Sequence, residues 1–463
     1  MPLRNLVILV VAAIICLVSW AARERDGRGR RFGEVLGHID RAYLEPVDGE
    51  ALFTAAVEAA VARLDEHSAF LRDDDRDDLE SLLDQRFGGV GLELGIDDRT
   101  RTLTVVAPLP GSPAWRAGIV AGDVIEAIDG TVTIGLPLRE AIRRLRGPPG
   151  ETVRLRVTHR ESPASLDPGA AVTITCHEVA LVRETVKVES VLGDRRRPDG
   201  SWQWMLEGEP GIACVRIVSF GEHTAADLDA ALTAIEREAE GRLRGLVLDL
   251  RGNPGGLLTA AVATCDRFLD AGVIVSTASR RTDAGEPSSA GSIRRAEPGA
   301  ACAGVPLAVL VDDLTASAAE IVAACLQDNG RATVVGSRTY GKGTVQSIVP
   351  LSDGRSLLKL TTSEYLRPSR ANIQRRRGDG DDAVWGVTPD DGFEIAPPAA
   401  ALERTRAWRR ARDLADQGPA ASGLPRDIDP VVATALRLFS RPADLRGEKE
   451  AAGHAHEAAA GRE

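Results

Sequence analysis

The sequence predicts an α/β fold built on a parallel sheet, and two strand–loop–helix repeats carry that prediction. Gly245-Leu246-Val247-Leu248-Asp249-Leu250-Arg251 reads as a continuous apolar run, suited to a strand buried on both faces. It ends in Gly252-Asn253-Pro254-Gly255-Gly256, followed by a helical stretch to Phe268 and Leu269. Val305-Pro306-Leu307-Ala308-Val309-Leu310-Val311 repeats the arrangement, with a short loop and then a helical pattern through Leu326. Strand, loop and helix twice in succession imply βαβ units. Ligands of such sheets gather beyond the carboxyl ends of the strands, where both loops lie.

Composition narrows the class. A chain of 463 residues has room for two or three domains, and 43% hydrophobic residues is ordinary for a folded body. The net charge of −11 and the lack of a concentrated basic run in the interior argue against nucleic acid as a partner. Cys16, Cys176, Cys214, Cys265, Cys302 and Cys325 show neither metal-ligand nor redox spacing. With Cys16 in the apolar N-terminus the body holds an odd five, which favours small buried thiols over a disulfide framework.

In chain order, residues 1–31 form a signal sequence or membrane anchor with a basic linker. Leu6 to Ala22 is uncharged and apolar, longer than a usual signal core and marginally short for a span. Ser19-Trp20-Ala21 offers a cleavage position, whereas Arg23, Arg25, Arg28, Arg30 and Arg31 after the run would by themselves hold the body on the cytoplasmic side. Residues 32–77 read as short amphipathic helices, with Phe32, Val35, Leu36 and Ile39 on one face and then Leu52, Phe53, Ala56, Val57, Ala60, Val61 and Leu64. In residues 78–161, Phe87-Gly88-Gly89-Val90-Gly91-Leu92 runs into an alternating strand. Ser112-Pro113-Ala114-Trp115 and Gly122-Asp123-Val124-Ile125 follow, then a helix with Leu138, Ala141, Ile142 and Leu145 on one face. This segment resembles a PDZ domain, in which Gly89, Val90, Gly91 and Leu92 would hold a peptide's terminal carboxylate and pair with its backbone. Residues 162–395 hold the α/β core, with a polar surface loop over 278–304. Residues 396–463 are a helical extension with a frayed end.

Ser317 lies in Asp312-Asp313-Leu314-Thr315-Ala316-Ser317-Ala318-Ala319-Glu320, and Lys342 follows 25 positions later in Tyr340-Gly341-Lys342-Gly343-Thr344-Val345-Gln346. Leu64-Asp65-Glu66-His67-Ser68-Ala69-Phe70-Leu71, the run Leu357 to Ser369, and Gly386-Val387-Thr388-Pro389-Asp390 accompany them. Together these blocks resemble the C-terminal processing peptidases, also called tail-specific proteases, over about residues 32–395. The resemblance implies a ClpP/crotonase-like peptidase core with an inserted PDZ domain and N-terminal helices. It further implies a serine endopeptidase with a Ser317–Lys342 dyad, which recognises protein or peptide substrates through their free C-termini. An oxyanion site would be built from the Ala318 amide and from Gly255 or Gly256. Export to the periplasmic side of the cell envelope, anchored or released, follows from the same likeness, with N-terminal membrane contact and room for an oligomer. No metal or organic cofactor is implied. Asp312 stands where Asn is common, Arg370 where Gly follows Pro-Ser, Glu66 where Pro and Phe70 where Tyr occur.

The chemistry is coherent. A serine hydroxyl needs a base within reach, and the seven histidines show no triad spacing. A lysine serves if burial lowers its pKa from about 10.4 to about 7, roughly 4.6 kcal/mol of differential destabilisation. Gln346, four residues after Lys342, would share its face in an extended strand and orient the amine without adding a charge that opposes deprotonation. Glu320 reads as helix-start electrostatics and His67 as structural. Two other readings compete: a non-catalytic ligand- or peptide-binding protein on the same fold, and a crotonase-like acyl-CoA enzyme. The intact Ser317, Lys342 and Gln346 argue against the first, and the missing acidic pair against the second.

Overall fold

Residues 27–161, 173–279, 291–376, 378–380, 383–414 and 422–440 are described in the computed structural model, and the chain divides into two compact units. The apolar run Leu6–Ala22, the middle of the predicted 278–304 loop and the tail from 441 lie outside the described residues. Among those described, no helix is long and apolar enough to cross a membrane.

The first unit joins residues up to Arg76 with Gln346–Thr361. It holds α1 (Gly27–Ala42) and α2 (Gly49–Val61), the latter capped by the Asp48 carboxylate, which accepts from the Glu50 and Ala51 amides. Phe32 of α1 meets Phe53 of α2, 6.4 Å between ring centroids. The helices occupy the predicted positions, but Ala69–Arg72 forms a strand, β1, where the sequence reading has helix. β1 pairs antiparallel with Ser356–Lys359, so a partner nearly 290 positions away overrides the local pattern.

The second unit begins with the PDZ-like sheet. β2 (Leu92–Ile96), β3 (Leu103–Pro108), β4 (Val124–Ile128), β5 (Thr152–Glu161) and β6 (Thr173–Val182) lie side by side in that order, all antiparallel. Alternate residues of β3 (Leu103, Val105 and Ala107) point into the small core, as the period-2 geometry of a strand requires. Helix α3 (Leu138–Leu145) packs against β2 and β4, and the sheet continues past residue 161 because β6 pairs with β5 over ten residues.

Beyond it stands the parallel sheet: β7 (Ile212–Ile217), β8 (Gly245–Asp249), β10 (Leu307–Val311) and β11 (Thr333–Gly336), each in parallel with the next. All four are buried along their length. Ala213, Val215, Leu246, Leu248, Val309 and Val311 face α4 (Thr224–Ala239), α5 (Leu258–Asp266) and α6 (Ala318–Asp328). Their neighbours Ile212, Cys214, Val247, Ala308 and Leu310 face the other way, onto α8 (Pro430–Phe439). Cys214, Cys265 and Cys325 are buried in these cores. Strand β9 (Val273–Ser279) pairs with the short strand Ile293–Arg295 and with Ser363–Leu366, so part of the expected surface loop is sheet.

The C-terminal helices are part of the core. Helix α7 (Ala399–Asp413) is held by ion pairs: fully buried Arg412 and its neighbour Arg409 meet fully buried Asp194, and Arg412 also reaches Glu207 at 2.7 Å. Arg216 of β7 pairs with Asp413. Removing one partner of a buried pair leaves an uncompensated charge, so Asp194→Ala should destabilise the protein by about 3–5 kcal/mol in denaturant unfolding. An unchanged midpoint would show that α7 is docked by apolar contacts alone.

Candidate active site

Strand β10 ends at Val311, six residues follow, the last of them Ser317, and α6 starts at Ala318. Ser317 sits at the corner with φ 56° and ψ −117°, a region that side chains other than glycine's rarely adopt. Such a residue persists only where its surroundings over-determine it, and here they do. The Ala316 N–H donates to the Asn253 carbonyl at 2.9 Å, and the Thr315 hydroxyl donates to the Leu250 carbonyl at 3.0 Å. Strand, strained corner and helix thus set the frame that carries the buried Ser317 side chain.

The strongest constraint on this corner is Glu320, which is fully buried. Among the described residues its Oε2 accepts the Ser317 N–H and the Lys342 N–H, both at 2.8 Å, and its Oε1 accepts the Gly341 N–H at 2.7 Å and the Thr339 hydroxyl at 2.5 Å. Burial pushes the Glu320 carboxyl above its usual range, while these hydrogen bonds pull it down. Ser317 and Lys342 therefore share one carboxylate oxygen, and their main-chain nitrogens lie within about twice that hydrogen-bond length. Glu320 does more than the expected helix-start electrostatics: it joins the serine corner to the lysine turn.

The turn itself is packed tightly. A Cβ on Gly341 would stand 2.8 Å from Arg375 and Trp385 side-chain atoms, and one on Gly343 would overlap the Gln374 amide, so both glycines are needed for the backbone to approach. The Gly341 carbonyl accepts the Arg375 N–H at 2.8 Å, and the Gly343 N–H donates to Gln374 Oε1 at 2.9 Å. The Gly386–Asp390 block braces the same region, since the Val387 N–H donates to the Thr339 hydroxyl and the Val334 N–H to Asp390.

The glycine loop after β8 runs beside Ser317. A Cβ on Gly255 would lie 2.8 Å from that of Ser317 and 3.0 Å from the Ala318 nitrogen. The Gly255 N–H is already bound to Asn253 Oδ1 at 2.8 Å. Among the described residues, the N–H groups of Gly256 and Ala318 have no acceptor. Asn253, fully buried and overlooked in the sequence, also donates to the Ile217 carbonyl at 2.8 Å. Asp312 accepts from the Gly252 and Leu314 amides, so its carboxylate ties the two loops together, and its own N–H donates to the Thr315 hydroxyl. Arg370 keeps its turn at φ 66°, the conformation that makes glycine usual there. Beside these loops, Arg251, Leu314, Arg338, Leu402 and Arg409 help to line a cavity of about 770 Å³.

Gln346 belongs to the first unit. Lys342 precedes the strand that starts at Thr344 (β12, Thr344–Pro350), so the two residues do not share one extended strand as the spacing suggests. The Gln346 amide donates to the Thr361 hydroxyl at 3.2 Å. Thr361 in turn donates its N–H to Ser68 Oγ at 3.1 Å, and Asp65 accepts the His67 and Ser68 amides at 2.8 and 2.7 Å. The Leu64–Leu71 block thus folds as a carboxylate-capped turn that orders the strand facing Gln346.

In the PDZ-like sheet, β2 is an edge strand next to α3. The carbonyls of Gly88, Val90 and Gly91 are engaged by the Gly147, Ala114 and Leu109 amides, which holds the loop of Gly89, Val90, Gly91 and Leu92 at the head of that edge. Gly91 has φ 75°, and a Cβ there would overlap Ser112. Packing inside the domain, rather than room for a ligand, demands this glycine.

Comparison with known proteins gives the family and the domains. The profile of peptidase family S41 matches residues 211–391, and that of a PDZ domain matches residues 104–158. A carboxy-terminal-processing protease of Bartonella bacilliformis is 34% identical over 363 residues, 78% of this chain and 74% of the relative. A carboxyl-terminal-processing protease of Picosynechococcus is 33% identical over 369 residues, 79% of each chain. The solved structure of a putative S41 protease from Bacteroides fragilis covers 86% of this chain and 94% of its own, at 17% identity and a TM-score of 0.51, a likeness of fold.

Glu320→Gln tests the junction. An amide nitrogen would face donors on one side of the group, leaving buried N–H or O–H groups unsatisfied at about 1–3 kcal/mol each. The variant should unfold at lower denaturant and lose activity, and a midpoint equal to the parent's would refute the role.

Proposed function

The chain belongs to peptidase family S41, the carboxyl-terminal-processing serine proteases, and from that premise we propose that Ser317 is its nucleophile and Lys342 its general base. The protein is a serine-type peptidase with a PDZ domain. The observation that supports the dyad best is the convergence of the Ser317 and Lys342 amides on one buried Glu320 oxygen. It supports a reading in which the strained serine and the lysine of the Gly-Lys-Gly turn act together.

In this mechanism Lys342, neutral, takes the Ser317 proton as Oγ attacks the scissile carbonyl, and returns it to the leaving amine. The Ala318 and Gly256 amides receive the oxyanion, since Gly255 spends its own N–H on Asn253. An acyl-enzyme results, and water releases it by the same relay. Gln346, whose amide donates to the Thr361 hydroxyl, would orient the lysine amine without adding a charge that opposes deprotonation.

The PDZ domain delivers substrate. An extended peptide would add to the β2 edge, with its terminal carboxylate at the loop of residues 89–92. The apolar run Leu6–Ala22 directs export to the periplasmic side of the cell envelope and supplies the membrane contact, either retained or cleaved.

Ser317→Ala and Lys342→Ala should each abolish proteolysis with the fold intact, and the double variant should be hardly worse, because the two act as a unit. Lys342→Arg should be equally inactive, since a guanidinium does not release its proton in this range. Activity of the parent should rise with pH through the lysine's titration. Turnover by Ser317→Ala, or a flat pH profile, would overturn the dyad. For delivery, the parent should cleave free C-terminal peptides in preference to amidated ones. Equal cleavage would remove tail recognition and leave the peptidase standing.

A further inference from the structure

The oxyanion loop is anchored from an unexpected direction. Arg251 lies two residues after β8 and a few before Gly256. Its Nε and Nη2 donate to Asp249 at 2.9 and 2.7 Å, and its Nη1 and Nη2 donate to Asp429 at 3.0 and 2.8 Å. Asp429 is fully buried and is the N-cap of α8, accepting the Val431 and Val432 amides at 3.1 and 3.2 Å. Burial alone would lower the Arg251 guanidinium, yet the two carboxylates raise it well above its ordinary value.

We propose that Asp429 is a positioning residue for the peptidase reaction: through Arg251 it fixes the loop of residues 250–256, and so makes the C-terminal helix part of the catalytic unit. The inference rests on the assignment of Gly256 to the oxyanion. The path is continuous. Arg251 adjoins Gly252, whose N–H is held by Asp312, and Asn253, whose carbonyl accepts the Ala316 amide and whose side chain holds Gly255. Asp429 therefore bears on the serine corner and the amide donor together, across 112 positions of chain from Ser317. It lies outside the stretch matched by the peptidase profile, which ends at residue 391.

Asp429→Asn is the informative substitution. Asparagine remains a good helix cap, but its amide nitrogen would confront a guanidinium donor in place of an acceptor. In the full-length protein, kcat on a peptide substrate should fall on the order of ten- to a hundredfold, as expected for a misplaced catalytic group, with KM held within about twofold. Phosphonylation of Ser317 by a serine-directed phosphonate, with loss of its leaving group, should slow in parallel. Ile235→Val, on α4 and carrying none of these contacts, should lower the melting temperature while leaving kcat in place. Should Asp429→Asn fold poorly, Arg251→Lys serves instead, since it keeps the charge and loses the fork. Its kcat loss should not add to that of Asp429→Asn. A folded Asp429→Asn protein with the parent's kcat, an equal kcat loss in Ile235→Val, or additive losses in the double variant would each overturn the proposal. Labelling of the parent away from Ser317 would instead overturn the dyad assignment.

Discussion

One buried carboxylate, that of Glu320, is the constraint on which the rest of the site depends. A carboxylate with no water around it must satisfy its lone pairs from the protein. Glu320 does so with donors from the serine corner, from Thr339 and from the Gly341–Lys342 turn. Those donors come from elements joined by a helix and a strand, so the folded core has to bring them together before the charge is tolerable. The strain at Ser317 is held by the same contacts. Stability and reactive geometry are thus one arrangement here.

A second set of buried charges does comparable work at the back of the sheet. Arg412 with Asp194, Arg216 with Asp413 and Arg251 with Asp429 all join the C-terminal helices to β7, β8 or their flanking loops. Such pairs add little net stability over apolar packing but punish any misplacement of one partner, which makes them registry devices. The alternation of core residues along β7, β8 and β10 creates the need. Parallel strands are apolar on both faces, and α4, α5 and α6 cover only one. Helix α8 covers the other, placed by Arg251 with Asp429, and the other two pairs dock α7.

The resulting division is between a catalytic body and two attachments with different physics. The PDZ sheet has its own small core, with Val90, Leu103, Ile125 and Val153 at its centre. The first unit is bound together by helix pairing and by the turn at Asp65, and it carries Gln346. The proposed nucleophile, base and oxyanion donors all belong to the second unit, whereas the proposed orienting group belongs to the first.

Much of this was legible in the chain. The apolar runs ending at Arg251 and Val311, the glycines after them and the blocks around Ser317 and Lys342 are local patterns, and periodicity over a few residues suffices to read them. The family likeness rests on the same blocks. Other features have no local signature. Ala69–Arg72 is a strand because Ser356–Lys359 lies alongside it, and residues 430–439 are core because the sheet has a second apolar face. Glu320 looked like an ordinary helix-start acid, and nothing near it in sequence announces Thr339 or Lys342. That the Gly255 N–H is already bound depends on where the Asn253 side chain points, which no local pattern shows. The sequence by itself determined which residue types could do the chemistry and in what local frame, because propensity and alternation act over three or four residues. Only the tertiary structure decided which buried polar groups meet, because each must find its partner wherever in the chain that partner lies.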